Sequence, residues 1–227
     1  MLDWGWLSTH LGAFADRTVQ HVYLAAIALF VGFVIAFALA LWAVRRPRVY
    51  PPINGLAGIT YALPSLVLFA ALIPITGLTL LTAEVPLVLY TQVILIRNIV
   101  AGFQAVPRDV LEAADGMGYH RGQRLRRVEL PLAVPLIVAG VRIAAVSTIG
   151  LVTITGTLGD RFGGLGFFIF EGYTRSFATE ILAGAVLSIV LALVVDTLLI
   201  AVQRRLTPWT RPPALTTSER VMEGSAP

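Results

Sequence analysis

EAADGMGYHRGQRLRRVELP, residues 112–131, is a polar, arginine-rich stretch set between two apolar segments that could each cross a bilayer. It opens on Glu112-Ala113-Ala114, places Gly118 four residues after Ala114, and closes on Val128-Glu129-Leu130-Pro131. Just upstream, Val106-Pro107-Arg108-Asp109 reads as a helix start, with Pro107 suited to the first helical position. Asp109 and Glu112 then favour the positive end of the helix dipole, and Gly118 is placed to take the left-handed conformation that stops a helix. The helix so bounded has about ten residues and is about 15 Å long. Leu111, Ala114 and Gly118, or alternatively Val110 and Met117, give it a short apolar stripe fit for a groove on another protein. The same arginines would also draw the helix to an anionic membrane surface.

Outward from this stretch the chain is apolar. It is 57% hydrophobic and 13% charged, against about 25% charged in soluble domains, and its mean hydropathy is +0.81. Val22–Val44 is an uncharged run of 23 residues, about 34 Å as a helix and too long for a signal-peptide core. Further apolar stretches cover about 56–75, 85–103, 131–155 and 181–202, so the sequence predicts an all-α, polytopic membrane protein of about five transmembrane helices. Pro64 and Pro74 should bend or shorten the second. The predicted organisation is an outer segment 1–21, a transmembrane domain 22–203 with the loop 107–131 inside it, and a disordered tail 204–227.

All 17 basic residues are arginines. With no lysine and no glycine-rich phosphate cradle, the chain is not expected to hydrolyse ATP, and it is read as a non-catalytic subunit. Cysteine is absent, and His10, His21 and His120 are scattered, so neither a metal site nor a cofactor is expected. Eleven arginines (among them Arg45, Arg108, Arg121, Arg124, Arg126 and Arg204) fall on one side of the predicted spans, and Arg17, Arg161 and Arg175 on the other. That bias makes the loop and the C-terminus cytoplasmic and puts the N-terminus outside.

The spacing Glu-Ala-Ala, three residues, Gly, nine residues, Val, one residue, Leu-Pro resembles the cytoplasmic coupling loop of permease subunits in binding-protein-dependent ABC importers, with Val128 where that pattern prefers isoleucine. The resemblance implies a type I ABC importer permease fold in which a coupling helix docks into an ATPase subunit. Glu112, Ala113, Ala114 and Gly118 would carry that role, and Leu130-Pro131 would turn the chain into the fourth span. Thr60-Tyr61-Ala62-Leu63-Pro64-Ser65-Leu66 resembles the QTIPSL segment of the osmoprotectant branch, which imports glycine betaine, carnitine, choline and proline betaine. Arg97-Asn98 with Ala101-Gly102, the run Gly140–Val146, and Gly163-Gly164-Leu165-Gly166 are similar to further segments of that branch. Two departures concern the substrate: Tyr61 stands where that pattern carries glutamine, and Gly159-Asp160-Arg161-Phe162 replaces small uncharged residues.

The resemblance also implies partners. They are two cytoplasmic ATP-binding subunits, a second permease (identical or homologous), an extracytoplasmic substrate-binding protein and membrane lipid, with no nucleic acid. A permease for another small solute, such as an amino acid, is the nearest alternative. A channel or secondary transporter working without an ATPase is the alternative from another class, although the spans hold few polar groups for a midplane site. Two of those few, Arg142 and Asp196, lie at similar depth and are expected to pair. Lastly, LGDRFGGLGFFIFEGY, residues 158–173, combines glycines with Phe162, Phe167, Phe168, Phe170 and Tyr173. Its Phe162, Gly163, Gly164, Phe167 and Phe168 are candidates for an outer gate, the alternative being an aromatic belt at the headgroups.

Overall fold

A computed structural model describes residues 2–210, and every regular element among them is helical. Helix α1 (Trp4–Thr9) is capped by Asp3, whose carboxylate accepts from the Trp6 N–H at 2.9 Å. Helix α2 (Leu11–Arg45) follows directly. It begins at Leu11, well before the Val22 that hydropathy suggests, so residues 11–21 are helical and continuous with the apolar run that follows. Arg17, Gln20 and His21 look like loop residues in sequence, yet their side chains are spent on the segment near residues 160–165.

Tertiary packing relies on small residues. Ala28, Ala36, Ala40 and Ala43 are essentially fully buried along one stripe of α2, with Gly32 between them, which lets α2 lie close against α5 (Leu80–Gln104). α5 is the central helix. It packs on α2, on α8 (Leu130–Val152), and on the broken pair α3 (Tyr50–Ala62) and α4 (Ser65–Thr76).

The break between α3 and α4 turns the chain by 92°. Pro64 causes it. Leu63 before it is extended (φ −68°, ψ 138°), as the pyrrolidine ring requires, and the freed Leu63 carbonyl accepts from the Tyr90 hydroxyl of α5. Pro74 sits two residues before the end of α4 and breaks nothing. Among the described residues four helices are long and apolar enough to cross a membrane, or five if the bent pair counts as one span.

Downstream of α5 lie α6 (Arg108–Gly116), α7 (Arg121–Arg124), a wider π-helical turn (Leu125–Glu129) and then α8. The polar stretch after Gly118 is therefore helical from Arg121 on, one rod with α8, whereas the sequence reading leaves it a loop up to Leu130-Pro131. A 3-10 segment (Thr153–Leu158), an irregular turn, and α9 (Gly166–Thr174) lead to α10 (Ala178–Leu206). Only 6% of the apolar window of α10 is buried. Leu182, Val186, Ile189, Leu193 and Leu198 face outward, a surface that suits hydrocarbon. Most of the tail expected to be disordered, from residue 211 on, lies outside the described residues.

Candidate functional site

Helix α6 forms where the capping signals place it. Pro107 is the residue just outside the helix (φ −61°, ψ 141°), one position earlier than its expected first-turn place, and Asp109 sits in the first turn. At the other end Gly118 has φ +81°. The Gly118 N–H donates to the Asp115 carbonyl at 3.0 Å and the Tyr119 N–H to the Ala114 carbonyl at 3.1 Å. These two bonds form the motif that closes helices on a left-handed residue, a conformation costly for any side chain bulkier than glycine.

The apolar stripe expected of α6 is divided. Ala114 is fully buried and Val110 and Leu111 are half-buried against the chain itself. Glu112, Ala113, Gly116 and Gly118 are exposed, and Met117 is 67% exposed. The outward face thus carries small residues, the carboxylates of Asp109 and Glu112, and one flexible thioether. Its side chains leave a flat, close-approach surface.

Arg124 is a residue that sequence reading missed. Its Nη1 meets Asp115 Oδ2 at 2.6 Å and its Nε meets Glu129 Oε1 at 2.8 Å, so one guanidinium ties the end of α6 to the foot of α8. Asp115 and Glu129 lie nine residues before and five residues after it, and only a folded-back α6 brings all three together. Leu130 packs with Leu125 against the central core, and Pro131 follows the π turn, half-buried beside Trp209.

At mid-depth, Arg142 of α8 and Asp196 of α10 face each other. Arg142 Nε donates to Asp196 Oδ1 at 3.0 Å and Nη2 to Oδ2 at 3.2 Å, a two-pronged pair. Gln203 extends it, accepting from Arg142 Nη1 at 3.1 Å while its own Nε2 donates to the Pro135 carbonyl at 3.4 Å. Gln203 follows Asp196 by seven residues on one face of α10, a spacing that could have flagged it. Among the described residues no group of His, Cys, Asp and Glu is gathered as a metal site.

The opposite end of α8 holds the aromatic segment. Phe168 is 3% exposed and packs on Phe14 (ring centroids 4.7 Å) and Trp6 (6.5 Å). Phe162 joins the cluster around Leu24 and Phe69, and Phe167 lies under the Arg17 guanidinium, 4.1 Å from its ring centre. Tyr173, at 76% exposed, faces out.

Gly163 and Gly166 of this segment are pressed against other backbone. A Cβ on Gly166 would lie 2.0 Å from the Thr153 carbonyl oxygen. Helix α2 clamps the segment. Gln20 Oε1 accepts from the Gly164 N–H at 2.8 Å, Gln20 Nε2 donates to the Arg161 carbonyl at 2.8 Å, and Arg17 donates to the Asp160 carbonyl. Buried His21 accepts at Nδ1 from the Leu165 N–H at 3.2 Å and meets the Ile149 carbonyl at Nε2, 2.9 Å away. Phe167 and Phe168 therefore share one cluster with Phe14; Gly163 and Gly164 lie against Phe167 and His21, and Phe162 packs into the neighbouring cluster around Leu24.

Comparison with known proteins agrees with this geometry. Residues 28–212 match the family model described as "Binding-protein-dependent transport system inner membrane component". The chain is 33% identical to the glycine betaine/carnitine/choline transport system permease protein OpuCB of Bacillus subtilis, over 89% of this chain and 92% of that one. It is 35% identical to the choline transport system permease protein OpuBB of the same organism, again over 89% and 92%. Among solved structures, an inward-facing form of the MetNI methionine ABC transporter superposes with a TM-score of 0.78 at 24% identity, covering 88% of this chain and 98% of that one.

Proposed function

This chain belongs to the family of binding-protein-dependent transport system inner membrane components, and from that premise we propose that it is the permease of an osmoprotectant importer. It carries a quaternary-ammonium solute (glycine betaine, choline, carnitine or a similar betaine) across the cytoplasmic membrane by alternating access. Similarity to the two Bacillus permeases over nearly the whole length of each chain supports that substrate class.

The observation that carries the mechanism is the outward face of α6. Its Glu112, Ala113, Gly116 and Met117 are exposed beside a cluster of arginines. This face suits the groove of a cytoplasmic ATP-binding subunit, and the arginine-rich end is then the cytoplasmic one, with the C-terminus inside and the N-terminus outside. Hydrolysis belongs to that separate subunit. Since a single α6 engages a single ATPase and closure joins two, the assembly holds two permeases, two ATPases and one external binding protein.

Motion of α6 passes through the Arg124 pairs into the π turn and α8, and from α8 across the Arg142–Asp196 pair into α10. At the far end Phe162, Gly163, Gly164, Phe167 and Phe168 form the closed outer gate, held by α2. Opening it requires Gln20 and His21 to release the segment.

Purification of the full chain in mild detergent tests the reading. An ATP-binding subunit and a binding protein should accompany it, and the complex in proteoliposomes should accumulate glycine betaine or choline only with ATP. A chain that purifies without any ATP-binding subunit and still moves solute would be a channel or secondary transporter. ATP-driven uptake of an amino acid alone would keep the architecture and change the cargo.

A further inference from the structure

Helices α3 and α5 run antiparallel, and their facing side chains pair twice. Arg97 Nε of α5 donates to Asn54 Oδ1 of α3 at 2.7 Å. Seven residues along α3 and seven back along α5, the rings of Tyr61 and Tyr90 meet at 5.7 Å between centroids, tilted by 59°. Beside the two rings, at the break before Pro64, lies a cavity of about 420 Å³ within the range typical of small-ligand sites. Hydroxyls of Ser65, Thr91, Ser147 and Thr148 share its wall with the rings, and no charged side chain lines it.

The hydrogen bond from the Tyr90 hydroxyl to the Leu63 carbonyl fixes that ring at the break. Tyr61 is 47% exposed. A quaternary ammonium carries no N–H to donate, so ring faces and hydroxyl oxygens are the groups that attract it. Without a carboxylate they attract it weakly, which suits passage more than storage.

Arg97 supplies the second half. Its hydrogen-bond partner is a neutral amide, it is exposed, and no carboxylate pairs with it among the described residues. Arg142, likewise within a span, is paired by Asp196. An uncompensated guanidinium within an apolar span is costly unless it serves an anionic group. It lies about 10 Å from the ring pair along the helix, at 1.5 Å per residue.

We propose that the Tyr61–Tyr90 cavity and Arg97 form a bipolar transit track, in which the rings pass the quaternary ammonium end of a betaine and Arg97 receives its carboxylate. The track rests on the osmoprotectant reading and deepens it: zwitterionic betaines are favoured over choline, which has no carboxylate.

The test measures maximal uptake of glycine betaine and of choline by the assembled complex in proteoliposomes, with saturating binding protein. Tyr61→Leu should lower both maximal rates about tenfold, as loss of a cation–π contact implies, and leave half-saturation unchanged. Tyr61→Phe should stay within about twofold of the unmodified complex, since the ring face remains. Tyr61→Met replaces the leucine variant should that one not assemble. Arg97→Gln should lower glycine betaine uptake about tenfold and choline uptake less than about twofold. Unchanged rates in the Tyr61 variants, or equal losses for both solutes in Arg97→Gln, overturn the track while leaving the transporter intact; the second result means that Arg97 serves the fold or an anionic lipid. An unmodified complex that moves neither solute overturns the osmoprotectant reading, and the track falls with it.

Discussion

Met117 closes α6 with 67% of its surface exposed, while Phe168 in α9 has 3%. These residues belong to opposite ends of α8, and the two ends are built in opposite ways. At the arginine-rich end a nine-residue helix keeps small residues outward and is tied to the bundle through Arg124. At the aromatic end, rings and backbone-pressed glycines are locked by α2 through Arg17, Gln20 and His21. A surface kept bare and lightly tethered is open to another protein, as proposed for α6, whereas a segment already saturated with internal partners changes state only when those partners let go. Substitutions at the first end should therefore alter the response to partners, and those at the second should alter stability first.

The largest effect is expected at Gly166. Gly166→Leu drives a side chain into the Thr153 carbonyl and should cost about 3 kcal/mol, read as a collapsed folded yield and a lowered thermal midpoint in detergent. Normal yield would mean that the aromatic end is looser than its packing indicates. Asp196→Ala comes next. It strands Arg142 between the two ends and should cost about 2 kcal/mol. The charge-swapped double mutant should recover part of that yield, and a double mutant as poor as the two single losses combined would show that the pair is not energetically coupled.

Gly118→Val should cost about 1–2 kcal/mol, localised in the helix cap. Its signature is functional: the chain accumulates in the membrane while stimulation of ATPase activity by loaded binding protein falls about tenfold. Full coupling in this variant would remove the distinction between the two ends. The smallest effect belongs to Phe167→Ala, which removes the ring under Arg17 at about 0.5–1 kcal/mol. Basal ATPase activity without binding protein should rise about twofold as the closed gate loses packing; unaltered basal activity would leave the segment an anchor for helix ends.

How much of this was legible follows the range of the signal. The bounds of α6 are written locally, in Asp109, Glu112 and a glycine able to adopt positive φ, and the structure places them within a residue or two. The bend at Pro64 is equally local, and the all-helical membrane architecture follows from hydropathy. The Arg142–Asp196 contact could be anticipated because charges are scarce in apolar spans. Other features depend on which residues meet in space. Arg17, Gln20 and His21 resemble a polar lead-in until the segment near residue 160 is laid across them, and so hydropathy alone begins the helix at Val22 and not at Leu11. Gly166 is one glycine of a glycine-rich run in sequence and a tight backbone contact in three dimensions. Arg124 sits among several arginines and nothing local singles it out, since its partners meet it only after α6 folds back. The pairing of Tyr61 with Tyr90 needs the antiparallel register of α3 and α5.

The π turn at Leu125–Glu129 makes the facing of this region depend on backbone pairing in a way that no side chain reveals. There the Leu130 N–H reaches back five residues to the Leu125 carbonyl, so the rod carries one residue more than an α-helix of the same rise would need. Drawing the turn into ordinary α pairing with no residue removed would add one α-helical step and rotate everything before it by about 100° relative to α8. Arg124 would swing off Asp115, and α6 would present a different face to its partner. Such a straightening acts like a skipped gear tooth: every helix survives, and the two ends of the rod no longer mesh; removing one residue at the same time would bring them back into phase.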